Sequence, residues 1–181
     1  MWWLNDEMTE EERNLAAVHH VVHDYANLVS SGTMAVNGHH LKKAFDPPVN
    51  THIGHAFLVN CRKMYEFFLY PPSANPAHDD IRAAHFLPQA VTFDLSNWAL
   101  WHDAMNKQLM HVTFARVEKP KTWEGHNENK LFLAEFMKAW KKLLRNLKGT
   151  MYESKFDEEI RKKQEPNDKG QESEFKDYDL R

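Results

Sequence analysis

Apolar positions in this chain recur three and four residues apart, and they mark out four main helices. Thr9, followed by Glu10, Glu11 and Glu12, has capping-box spacing and places acids at the positive end of the helix dipole. Leu15, Val18, Val22, Tyr25 and Val29 then form the seam of a helix laid along a neighbour at a shallow angle. The breaker run Ser30-Ser31-Gly32 is expected to end it. Residues 33–50 read as a connection, with Gly38, Pro47 and Pro48 as breakers and one short turn near residues 41–45.

A second helix is expected from a cap at Asn50 or Thr51 to Tyr70. Ile53, Phe57, Cys61, Met64 and Phe68 lie on one line, and Leu58, Tyr65 and Leu69 on the next. A helix apolar nearly all round belongs in the middle of a bundle. Pro71-Pro72 stops it, and residues 71–91 read as a long loop in which Asp79-Asp80 caps a short turn leading to Phe86 and Leu87.

The third helix is predicted over residues 96–116, with Ser96 as N-cap and Trp98, Trp101, Met105, Leu109 and Val112 as the buried stripe. The fourth, over residues 127–147, has Leu131, Ala134, Met137, Leu144 and Leu147, with Phe132, Phe136, Trp140 and Leu143 beside them, as its apolar face. Lys138, Lys141, Lys142, Arg145 and Lys148 cover its C-terminal half, and Gly149 stops it. Residues 150–181 alternate charges with few apolar anchors, which predicts a brief helix near residues 153–163 and then a solvated tail. No period-two pattern persists. The expectation is an all-α protein: a four-helix bundle over residues 1–149, with a long loop between the second and third helices, and a charged, flexible tail over residues 150–181.

Composition narrows the functional classes. The net charge of −3 advertises no global field for nucleic acid and leaves room only for a local basic patch. One cysteine, Cys61, excludes an internal disulfide and any multi-cysteine metal site. The first residues lack a basic, apolar leader and no segment has the roughly 18 apolar residues of a membrane span, so the expectation is a cytoplasmic protein with no membrane partner.

Twelve histidines ask for an explanation. His52-Ile53-Gly54-His55 spells a nucleotide-binding tetrapeptide, but that chemistry needs a preceding strand in an α/β domain, and none is predicted. His19 and His23 stand one turn apart, and with His55 from the second helix they make a candidate three-histidine metal site. The sharper candidate is the third helix, where His111 has Asn106, Lys107 and Arg116 near it in sequence. His111 is placed to act as general acid or base on a phosphodiester, with Lys107 or Arg116 stabilising the developing charge and no cofactor required.

The segments AFLVNCRKMYEFF, DDIRAAHF and NKQLMHVTFAR resemble blocks of HEPN-like bacterial helical-bundle proteins, found in toxin–antitoxin and phage-defence systems. The resemblance spans about residues 9–147. It implies a metal-independent endoribonuclease whose site forms across a homodimer, with RNA as substrate and a cognate antitoxin or defence protein as partner. The family motif sets an Arg, often followed by a polar residue, four to six residues before a His. His111 supplies the His and Asn106 the polar residue, but Met105 and Asn106 stand where the Arg belongs, and neither offers a guanidinium fork. That departure opens two alternatives: a non-enzymatic dimeric interaction module, or the histidine-rich metal-binding bundle using His19, His23 and His55.

Overall fold

The computed structural model describes residues 8–41, 47–71, 80–105, 126–166, 172–173 and 175–181. Helix α1 spans Glu10–Leu41. Its start is the predicted capping box: the Thr9 backbone N–H donates to Glu12 Oε2 at 2.8 Å, and the Glu12 N–H donates to Thr9 Oγ1 at 3.2 Å. Its end is not as expected. Ser30-Ser31-Gly32 lies inside the helix, because the Ser31 hydroxyl bonds back to the Asn27 carbonyl at 2.6 Å and Gly32 is buried beneath the Phe57 ring.

Helix α2, Pro47–Leu69, starts on the proline pair that the sequence reading had assigned to the connection. A proline in a first turn removes an N–H that has no intrahelical partner anyway. α2 runs antiparallel to α1, as Lys63 pairs with Asp24 at 3.0 Å, Asn60 Nδ2 donates to Ser31 Oγ at 3.3 Å, and Phe57 meets Gly32. The predicted Arg62–Glu66 pair closes at 3.0 Å one helical turn apart.

Between α2 and α3 the described stretch carries one turn of 3-10 helix, Ala83–His85, followed by the buried Phe86. Helix α3 is described over Ser96–Met105, and the rest of the predicted third helix falls outside the described residues. Ser96 is its first helical residue rather than its cap. Glu135 of α4 (His126–Leu147) caps it from outside, accepting the backbone N–H groups of Asn97 at 2.9 Å and Trp98 at 3.0 Å.

The core is aromatic. Tyr25 of α1 stacks on Trp140 of α4 with centroids 4.0 Å apart, and Trp98 of α3 meets Phe132 edge-on at 5.1 Å. α4 stops where predicted, because Gly149 takes φ +77°, the left-handed conformation that ends helices and favours glycine.

The C-terminal segment departs from expectation. Helix α5, Glu153–Gln164, matches the predicted brief helix, but it buries Phe156 and Ile160 and packs along α1. Past it, Phe175 and Leu180 are also buried, Trp140 Nε1 donates to the Leu180 carbonyl at 2.8 Å, and Gln164 Nε2 donates to the Tyr178 carbonyl at 2.8 Å. The described part of residues 150–181 is therefore built into the body. Phe156 meets Phe86 edge-on at 5.4 Å and Trp140 of α4 at 5.9 Å between ring centroids. The described residues form five α-helices and no strand, and none of these helices is long and apolar enough to cross a membrane.

Candidate functional site

Helix α4 sorts its residues by face. Phe132, Phe136, Trp140, Leu143 and Leu147 turn inward and are buried, so the intervening lysines and arginine are carried to the flank beside α5. There Lys138, Lys141, Arg145 and Lys148 follow one another at i, i+3, i+7 and i+10 along a groove of about 700 Å³. Met137, Leu144 and Leu147 of α4 and Phe156 of α5 form its apolar floor, and Glu153, Asp157 and Arg181 complete the lining. Five cations thus face two carboxylates.

Part of that charge is already engaged. Lys141 Nζ lies 2.7 Å from Asp179 Oδ2, whose carboxyl this ammonium holds below its ordinary range. Arg181 reaches Asp157 at 3.9 Å, and Arg145 Nε donates to the Lys141 carbonyl at 3.2 Å. Among the described residues, Lys138 and Lys148 have no carboxylate partner. The groove therefore combines an apolar floor with a cationic rim, which fits a ligand that is anionic on one side and apolar on the other.

A second polar cluster joins α5 to α1. Glu159 is 4% exposed, and its carboxylate accepts from His19 Nδ1 at 3.0 Å, Lys162 Nζ at 3.0 Å and Lys155 Nζ at 3.1 Å. Burial pushes this carboxyl up, but the hydrogen bonds from His19, Lys162 and Lys155 outweigh it and hold it at about 2. One turn along α1, burial and the nearby Lys163 ammonium push His23 below its ordinary range. His23 Nδ1 lies 2.9 Å from Lys163 Nζ, and its Nε2 lies 3.1 Å from Asn27 Nδ2.

These contacts bear directly on the histidine metal site. The His19 and His23 rings do stack in parallel, with centroids 6.4 Å apart. Yet both nitrogens of His23 and Nδ1 of His19 are taken by protein groups. His55 is exposed on α2, near the level of α1 that follows Gly32, about 15 Å along the helix from His23 at 1.5 Å per residue. The three are not brought together, and among the described residues no three His, Cys, Asp or Glu side chains are grouped to hold a metal ion. The cluster instead ties α5 to α1.

The predicted catalytic set, Asn106, Lys107, His111 and Arg116, lies outside the described residues. The single cysteine, Cys61, is buried, which pushes its thiol up and leaves it a core residue. Sequence reasoning noted the basic run on α4 but missed Asp179, the partner of Lys141, and the Arg181–Asp157 pair beside the run, because it assigned residues 150–181 to solvent. The available signal was Phe156 and Ile160, one turn apart, followed by Phe175, Tyr178 and Leu180. No protein-family model matches the chain, and no curated protein or solved structure shows detectable similarity to it.

Proposed function

We propose that the chain is an HEPN-like RNA-binding protein, working in the cytoplasm in a bacterial defence or toxin–antitoxin setting, and that RNA lies along the α4–α5 groove. The observation that carries this reading is the cationic stripe of Lys138, Lys141, Arg145 and Lys148 beside an apolar floor, on a chain whose net charge is −3. A local basic rail on an otherwise acidic protein is the arrangement that selects a polyanion by position rather than by bulk charge. The all-α architecture is compatible with a four-helix HEPN-type bundle acting as a homodimer, in which His111 is the acid–base residue.

The missing Arg supports a second reading, a dimeric module that binds without cutting, because neither Met105 nor Asn106 can neutralise a phosphorane as a guanidinium does. One experiment separates the two. Purified protein is incubated with mixed RNA, with and without EDTA, beside a His111→Ala variant. Cleavage that survives EDTA and vanishes in the variant supports the ribonuclease, whereas binding without cleavage supports the module. Failure to bind RNA at low salt rejects both.

A further inference from the structure

Lys138 and Lys148 lie about 15 Å apart along α4 at 1.5 Å of rise per residue, with Lys141 and Arg145 between them. At 3.4 Å or more of strand per phosphate, that stripe meets roughly three or four phosphates. Beside it, Met137 and Leu144 are only half-buried and so can touch a ligand. A duplex hides its base faces inside its own stack and offers the groove sugar, phosphate and base edges. An unpaired strand brings base faces that an apolar floor can cover.

A further group bears on the occupant. The Asp179 carboxylate sits on the ammonium of Lys141, the second cation of the stripe, and it is delivered there by a segment anchored through Leu180 and Tyr178. Both partners are about half exposed, so the pair is open to exchange with a dissolved anion.

We propose that the groove takes a single-stranded RNA segment of about three or four nucleotides, and that Asp179 is an internal stand-in for one of its phosphates, displaced from Lys141 when RNA binds. This rests on the RNA reading above and adds the strand type and a built-in competitor. Asp179 therefore lowers affinity, and it conceals one of the counterion-releasing contacts from the salt dependence.

The test uses the full chain and a short fluorescent oligouridine, titrated across a salt series, with a duplex of equal length as comparison. Asp179→Asn keeps an oxygen to accept the Arg181 backbone N–H, now 3.1 Å away, while removing the charge. The wild type is expected to bind the single strand in preference to the duplex, with a log–log salt slope of about −1.4 to −2, from roughly 0.7 per neutralised phosphate with one contact concealed by Asp179. Asp179→Asn is expected to bind about two- to fivefold tighter, with a slope steeper by about 0.7. In a Lys141→Gln background the same change should do nothing. Equal or weaker binding by Asp179→Asn, an undiminished gain without Lys141, or equal binding of the duplex overturns the inference while leaving RNA binding intact. Absence of RNA binding in every variant overturns this inference and the proposed function together.

Discussion

Replacing Gly32 by alanine sets a backbone preference against a packing limit, and the structure decides the sign. In the interior of a helix, alanine is favoured over glycine by about 1 kcal/mol. At Gly32, however, a Cβ would sit 2.7 Å from Phe57 Cε2, 3.0 Å from Phe57 Cδ2 and 3.0 Å from Leu133 Cδ1. Ordinary carbon–carbon contact is about 3.5–4.0 Å, so the ring must move by roughly 0.8 Å or more. Phe57 is fully buried, and a packed interior has little room for such a shift. Overpacking of this kind costs about 1–3 kcal/mol, which cancels the gain in helix propensity and leaves a net loss of up to about 2 kcal/mol. For a chain of this size that lowers Tm by up to about 8 °C. Gly54 of α2 is the internal control, because a Cβ there meets nothing within 4 Å. Gly54→Ala is expected to stabilise by about 0.5–1 kcal/mol. Urea unfolding of both variants, together with Gly32→Ala in a Phe57→Leu background, tests the account. The coupling between positions 32 and 57 should be positive, with the alanine tolerated better once the ring is gone. If Gly32→Ala raises the urea midpoint as Gly54→Ala does, the close approach of α1 and α2 is not what holds glycine there.

Three further expectations concern other parts of the fold. Glu159 is held at about 2, below its ordinary 4.5, so its contribution is fully present above about pH 5 and is lost as the pH falls toward 2. With partners that are partly exposed, the advantage over Glu159→Gln should be about 1–2 kcal/mol at pH 7 and should disappear near pH 2, which urea melts at several pH values would reveal. Reversing Lys138 and Lys148 together to glutamate should weaken oligouridine binding at least tenfold at low salt while moving Tm little, as both side chains are on the exposed flank; filter binding and calorimetry check the two halves. A chain cut after Gly149 loses Phe156, Ile160, Phe175 and Leu180 from the core, about 6–12 kcal/mol of burial, and should show no cooperative thermal transition by calorimetry; a sharp one would mean that the C-terminal segment is dispensable.

The helices were legible wherever local chemistry decides them. Thr9 and Glu12 form the capping box their spacing predicts, Gly149 supplies the left-handed stop, and most of the apolar positions of α1, α2 and α4 face the core, although Leu69, Leu131 and Ala134 are exposed. The reading failed where distant residues decide. Glycine marks a helix end when it lies past the last turn and a close approach when it lies under a neighbour's ring, and only Phe57 tells the two apart at position 32. Ser96 looked like a cap because the true cap, Glu135, belongs to another helix. The groove was half legible: the lysines of α4 stood out, but Asp179, which pairs with Lys141, and the Arg181–Asp157 pair lay in a segment whose high charge masked four widely spaced apolar anchors. For the histidines, spacing alone put His19 and His23 on one face, while the antiparallel offset of α2 that separates His55 is set by packing.

The partners of α1 lie far along the chain, and this orders events in time. Asn14 reaches Tyr152, His19 reaches Glu159, Tyr25 stacks on Trp140 and Ser30 meets Tyr178, each contact closing a loop of more than a hundred residues. Of the described helices that pack on α1, α2 is the one made early enough to cover it. The rest of its apolar stripe stays wet until α4, α5 and the segment around Leu180 arrive, so the loop-closure entropy is met late and the folding rate should be slow for a helical protein. During synthesis, the first helix made is among the last to be fully buried. A half-made chain therefore shows the surfaces of Val18, Val22 and Tyr25 to any chaperone, or to any second nascent chain, that reaches them first.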